Sequence, residues 1–156
     1  MPVYTLEIDE FSNNDYTLIG VHTAIKDYKF TYLLNQQLNV KFSRASKDLD
    51  FENKNNNAFF ALYEYQDKKL DTHWHLLSNV HKAVFKPTDS SLFEENTITT
   101  YLIPEKKKVD YFIKIEGNYS EQYIAESVEK INKIAQIITA YTIDINTLKS
   151  KDFLIF

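Results

Sequence analysis

The stretch YLIPEKKKVDYFIKIEG, Tyr101 to Gly117, decides how this chain is read. On an extended backbone Val109, Tyr111, Ile113 and Ile115 share one side, and Asp110, Lys114 and Glu116 share the other. That is the period of a strand with one buried and one wet face. TITTYLI, just upstream, has the same β-branched and aromatic bias. Pro104 cannot donate a ladder hydrogen bond and pushes Ile103 towards extended geometry, so the first strand ends there. Three consecutive lysines then repel one another into water. The stretch reads as a hairpin with two buried arms and a basic tip that discourages edge-to-edge aggregation.

The flanks extend this reading. VYTLEID, residues 3–9, alternates as a strand; SNND is a turn; YTLIGV completes a hairpin. Thr23 is placed to cap a helix over about 24–38 whose stripe is Ile25, Tyr28, Tyr32 and Leu33. VKFSRASKDLDF reads as a strand entering a loop, ENKNNN as a polar breaker, and AFFALYEYQ and THWHLLSNV as core strands. Residues 81–96, with Pro87, form the longest irregular connection. A second helix is expected over about 120–141, with Asn118 and Glu121 as a capping box. Its stripe is Ile124, Val128, Ile131, Ala135 and Ile138, widened by Ile134, Ile137 and Tyr141, so that its C-terminal end is the more buried. The apolar tail DFLIF docks on the body. Strands bracketed by two helices make a single α+β domain over 1–156, an antiparallel sheet packed by two main helices.

Composition narrows the chemistry. With no cysteine among 156 residues, disulfides, thiol nucleophiles and thiolate metal sites are excluded. Two glycines, Gly20 and Gly117, are too few for a phosphate-cradling loop. No apolar run reaches the roughly 18 residues of a membrane span, and the start MPVYTLEIDE lacks a signal core, so a cytoplasmic location is expected. A net charge of −4 opposes nucleic acid as a partner, although Lys41, Lys47, Lys68, Lys69 and the motif lysines among abundant tyrosine and phenylalanine form the ingredients of an RNA surface.

The letters IPEKKKVDY, Ile103 to Tyr111, resemble the pattern of a bacterial family known as IPExxxVDY: Ile103, Pro104, Glu105, Val109, Asp110 and Tyr111 all fall on it. Chain length and the LIGVHT-to-LLNQQL opening are similar too. The resemblance implies a bacterial cytoplasmic origin and no particular reaction, with the three middle positions free. The candidate binding residues are Glu105, Asp110 and Tyr111 of the motif, together with Arg44. Glu105 and Asp110, if paired across the hairpin base, would form a carboxylate pair suited to acid–base work. Arg44, the one arginine beside 17 lysines, is expected to bind Asp48 bidentately. Asp48 and Asp50 with Asn53 or Asn55 share a spacing able to hold a cation, without the glycine of a calcium loop.

DTHWH carries the sharpest chemical signal. On a strand, Asp71, His73 and His75 share a face and could hold zinc or iron, with His81 near enough to join. Trp74 and Leu76 then face the core. The reading that results is a non-catalytic protein-binding module with no cofactor, acting on a protein partner or as a homo-oligomer. Its alternatives are a metal-dependent enzyme using the DTHWH strand and an RNA- or ribosome-associated binder.

Overall fold

A computed structural model describes residues 16–52, 57–85 and 96–156. The strand expected at residues 3–9, the SNND turn up to residue 15, and Asn53 and Asn55 lie outside them. The elements run β1 (Tyr16–Thr23), α1 (Asp27–Leu38), β2 (Ser43–Arg44), β3 (Leu49–Glu52), β4 (Asn57–Phe60), β5 (Leu62–Asp67), β6 (Thr72–Ser78), β7 (Val80–Phe85), β8 (Asn96–Tyr101), β9 (Tyr111–Gly117), α2 (Glu121–Asn132) and β10 (Ile137–Ile143). Short 3-10 turns occupy Pro104–Lys106, Ile145–Thr147 and Lys151–Leu154.

Six strands form one sheet in the order β10-β1-β9-β6-β5-β2, and β3–β4 and β7–β8 form two ribbons. Every pairing among the described residues is antiparallel. The α+β class stands as expected. Among the described residues no helix is long and apolar enough to cross a membrane.

The sheet has two covered faces. Ile19, Val21, Tyr63, Trp74, Leu76, Tyr111, Ile113 and Ile115 face the helices and meet Phe30 and Leu34 of α1 and Ile124 and Ile131 of α2. Leu18, Leu77 and Phe112 face the other way, onto Ala58 and Phe60 of β4, Leu102, Ile103 and Val109 of the motif loop, and Leu148 and Leu154 of the C-terminal segment. DFLIF docks as expected, with Leu154 fully buried.

Several boundaries differ from the sequence reading. TITTYLI and VDYFIKI are not arms of one hairpin: β8 pairs with β7, whereas β9 lies in the six-stranded sheet between β1 and β6. Consequently the face bearing Lys114 is not wet. Lys114 is 4% exposed, because the C-terminal segment covers it. Residues 81–96 are not wholly irregular, since β7 and β8 pair from Val80↔Tyr101 to Phe85↔Asn96. AFFALYEYQ breaks at Ala61 into β4 and β5, and the segment after Val40 divides into β2 and β3.

The helices also shift. α1 begins at Asp27 behind Lys26, which offers no side-chain cap, because Thr23 still belongs to β1. Its buried positions are Phe30, Thr31 and Leu34, while Tyr28 is 64% and Tyr32 61% exposed. α2 is capped by Ser120, whose hydroxyl accepts from Tyr123 N–H at 3.1 Å, rather than by Asn118. It stops at Asn132; residues 137–143 form a strand instead. Ile138, expected in the stripe, is 77% exposed. Asn132 welds the two elements together. Its amide donates to the carbonyls of Val128 and Ala140 and accepts from Ala140 N–H at 2.8 Å, which covers the middle of β10's outer edge.

Candidate functional site

The IPEKKKVDY loop closes around Asn79, a side chain that composition and spacing had not marked. Asn79 is fully buried between β6 and β7. Its Nδ2 donates to the carbonyls of Lys106 (2.9 Å) and Val109 (2.8 Å), and its Oδ1 accepts from Ile103 N–H at 2.8 Å. Its backbone N–H donates to the Asp110 carbonyl and its carbonyl accepts from Leu102 N–H, both at 2.9 Å. A buried amide is well suited to this, because it supplies donors and an acceptor to backbone groups that a sharp reversal leaves unpaired.

The residues on the family pattern each have a place in this latch. Ile103 and Val109 are buried, and Pro104 opens the 3-10 turn. Glu105 accepts from Ser150 N–H (2.8 Å) and from its hydroxyl (3.0 Å). Burial opposes the Glu105 charge, but these donors outweigh it and hold the carboxyl below the usual glutamate value. Asp110 Oδ2 accepts from Thr23 N–H at 2.9 Å, at the irregularity where β1 leaves its register with β10. Tyr111 donates its hydroxyl to the Ile25 carbonyl at 2.7 Å and packs its ring 5.0 Å from that of Phe30. Burial, then Asp27 and Asp110, push its phenol well above the ordinary value. Glu105 and Asp110 therefore bind different parts of the chain and not a common proton. Lys107 and Lys108 are exposed, as expected of free positions, and Lys107 Nζ lies 5.7 Å above the Tyr101 ring.

Arg44 meets Asp48 as expected, although not bidentately. Nη2 (2.6 Å) and Nε (3.1 Å) converge on one oxygen, Oδ1. Its Nη1 reaches Asp27 at 3.4 Å, and the guanidinium lies 5.2 Å from the centre of the Tyr63 ring. Tyr63 in turn donates to Asp27 at 2.9 Å. Arg44 thus ties the β2 loop to the first turn of α1. Asp48, held by Arg44, is occupied in that pairing.

The DTHWH strand behaves differently from the spacing argument. His73 and His75 do share a face of β6, with rings stacked at 4.4 Å. Asp71 does not join them: it takes a left-handed backbone (φ 51°) at the end of the β5–β6 turn, beside Gly117. The third donor is Glu64, directly opposite His75 on β5. One ligand atom from each of Glu64, His73 and His75 lies within 4.8 Å of the others. The symmetry of a short turn through DKKLD was the signal that could have found Glu64, had its register been known. His81 is elsewhere, its Nδ1 against the backbone of Phe59. His22 is bonded to the Tyr141 hydroxyl at 2.8 Å.

β9 completes this polar face. Lys114 lies opposite His75 and Glu116 opposite His73. Lys114 Nζ donates to Glu116 (2.8 Å) and to the Leu154 carbonyl (2.6 Å), between the rings of Tyr16 and Phe156. An unpaired buried ammonium would cost several kcal/mol, roughly, which is why the tail must lie where it does. Burial opposes the Glu116 charge, but Lys114 holds its carboxyl below the usual value. Burial, then His73, depress His75 to about 4, so its imidazole is neutral at pH 7. Trp74, on the opposite face, is core as expected and lies edge-on to Phe42 and Tyr123.

No protein-family model matches the chain, and no curated protein does.

Proposed function

We propose that the chain is a non-catalytic, cytoplasmic protein-binding domain of the bacterial IPExxxVDY type, and that it docks through the β7–β8 ribbon onto the same ribbon of a second copy. The observation that carries this reading is the ribbon's exposure. On β7 Lys82 and Val84 are exposed, and on β8 Thr97, Ile98 and Thr99 are too, although Ile98 and Val84 point to opposite faces. A two-stranded ribbon bare on its Lys82–Val84 face, the other face being half-covered where His81 packs on Phe59 and Phe60, is marginal in water unless something packs on it.

One edge of the ribbon is approached by its own chain, where His81 meets the β4 backbone. The β8 edge has no pairing partner among the described residues. Its six residues, NTITTY, contain neither charge nor proline, the usual protections of an edge. Two such strands meeting about a two-fold axis make a four-stranded sheet in which no like charges face one another, despite a net charge of −4 on each copy. β10 is the poorer candidate, because Asn132 already bonds to its outer edge. The non-catalytic and family parts of the reading are supported by the motif, whose carboxylates are engaged in holding the loop.

Light scattering on the purified chain tests the proposal. The unmodified protein is expected to be a dimer, and a Thr97→Lys, Thr99→Lys variant, which sets lysines against one another across the axis, a monomer with unchanged circular dichroism. A monomeric parent chain, or a variant that remains dimeric, overturns it.

A further inference from the structure

We infer that Glu64, His73 and His75 form a binding site for one divalent transition-metal ion of the Zn²⁺ or Fe²⁺ class. The argument starts from donor chemistry. Two imidazoles and a carboxylate are a donor set for borderline divalent ions, and three protein ligands leave a coordination position open for water or a further ligand.

Geometry agrees. The donors come from neighbouring antiparallel strands in fixed register, Glu64 opposite His75, and His73 two residues along the same strand. Bonds of about 2.0–2.2 Å in a tetrahedron place ligand atoms roughly 3.4 Å apart. The three donors lie within 4.8 Å of one another, so a closure of at most about 1.4 Å per pair suffices. Glu64 is exposed and can swing in, whereas His75 is held by its surroundings.

The second, independent observation is His75 itself. It is 7% exposed, and its Nδ1 is buried with no hydrogen-bond partner. Burying such a nitrogen without a partner is unfavourable, and a bound cation offers a partner to an imidazole. The charge most opposed to a cation here is Lys114, opposite His75 on β9. Its ammonium is turned to Glu116 and the Leu154 carbonyl, with Glu116 offsetting its charge. The Phe156 ring, edge-on to His75 at 4.9 Å, shields the site from one side.

The experiment is titration of chelator-treated full-length chain with Zn²⁺ by calorimetry, and with Co²⁺ by visible absorption. One equivalent is expected to bind saturably, with Co²⁺ bands of low coordination number. Glu64→Gln and His73→Ala alter side chains that are not buried, and melting without metal checks that each variant folds. Each is expected to weaken binding by more than the roughly 10–100-fold that outer-shell partners cost. Asp71→Asn should bind as the parent chain does. Absence of saturable one-equivalent binding overturns the site, as does unchanged affinity in both ligand variants or an equal loss in Asp71→Asn.

Discussion

Asn79 holds Ile103 N–H and the carbonyls of Lys106 and Val109 through one amide, and no other side chain reproduces that set at that point. Asn79→Ala leaves Ile103 N–H and the Val109 carbonyl without that partner, while the Lys106 carbonyl keeps Val109 N–H at 3.1 Å. At about 1–3 kcal/mol for each of the two orphaned groups, the expected loss is about 2–6 kcal/mol in urea unfolding. Asn79→Asp should be no better, since its second oxygen would face two carbonyls. A loss below about 1 kcal/mol in both would mean the loop is held by other contacts. The motif was legible as a water-facing reversal, because proline and three lysines state that locally. Asn79 was not, because an asparagine's value depends on which backbone groups lie around it, and those arrive from residues 24 to 30 positions away.

At the scale of elements, the period of α1 was readable and its phase only in part: Ile25 and Leu33 pack against the core, and Tyr28 and Tyr32 do not. DYKFTYLLNQQL offers aromatics on more than one face, and tyrosine suits either a core or a surface. The sheet chose Phe30 and Leu34. Phe30→Ala should therefore cost about 3–5 kcal/mol, and Tyr28→Ala no more than about 0.5 kcal/mol, both by chemical denaturation. The reverse order would restore the sequence-based stripe. The second helix was overextended for a related reason: Ile134, Ile137, Ile138 and Tyr141 satisfy a helical spacing, while the β-branched run IITAYTI equally suits a strand. β1 needed a neighbour on its open side. Pairing with β1 while Ile137, Ala140 and Ile143 are buried outweighed the local preference.

At the scale of the whole molecule, the C-terminal segment closes the second face by bonding to the motif loop. Ser150 donates to Glu105 across 45 residues of sequence, and Leu154 accepts from Lys114 across 40. Because the folded-state value of Glu105 is depressed, its contribution is fully present above the ordinary glutamate value of 4.5 and is lost as pH falls through the lower folded value. Glu105→Gln should thus be less stable than the parent chain at neutral pH. The gap should be small for so exposed a group, under about 1 kcal/mol, and should close on acidification below 4.5, followed by melting temperature against pH. A gap that widens in acid would reverse the assignment. From its residues alone, the chain determined an α+β class, strands at β1, β6 and β9, a docked apolar tail and a histidine pair on one face of β6, all properties carried by local period and composition. Only the tertiary structure decided that β8 and β9 part company, that Glu64 replaces Asp71 beside the histidines, and that Lys114 is buried. Those outcomes depend on strand order and register, which arise from contacts between distant segments and leave no mark on the spacing of neighbours.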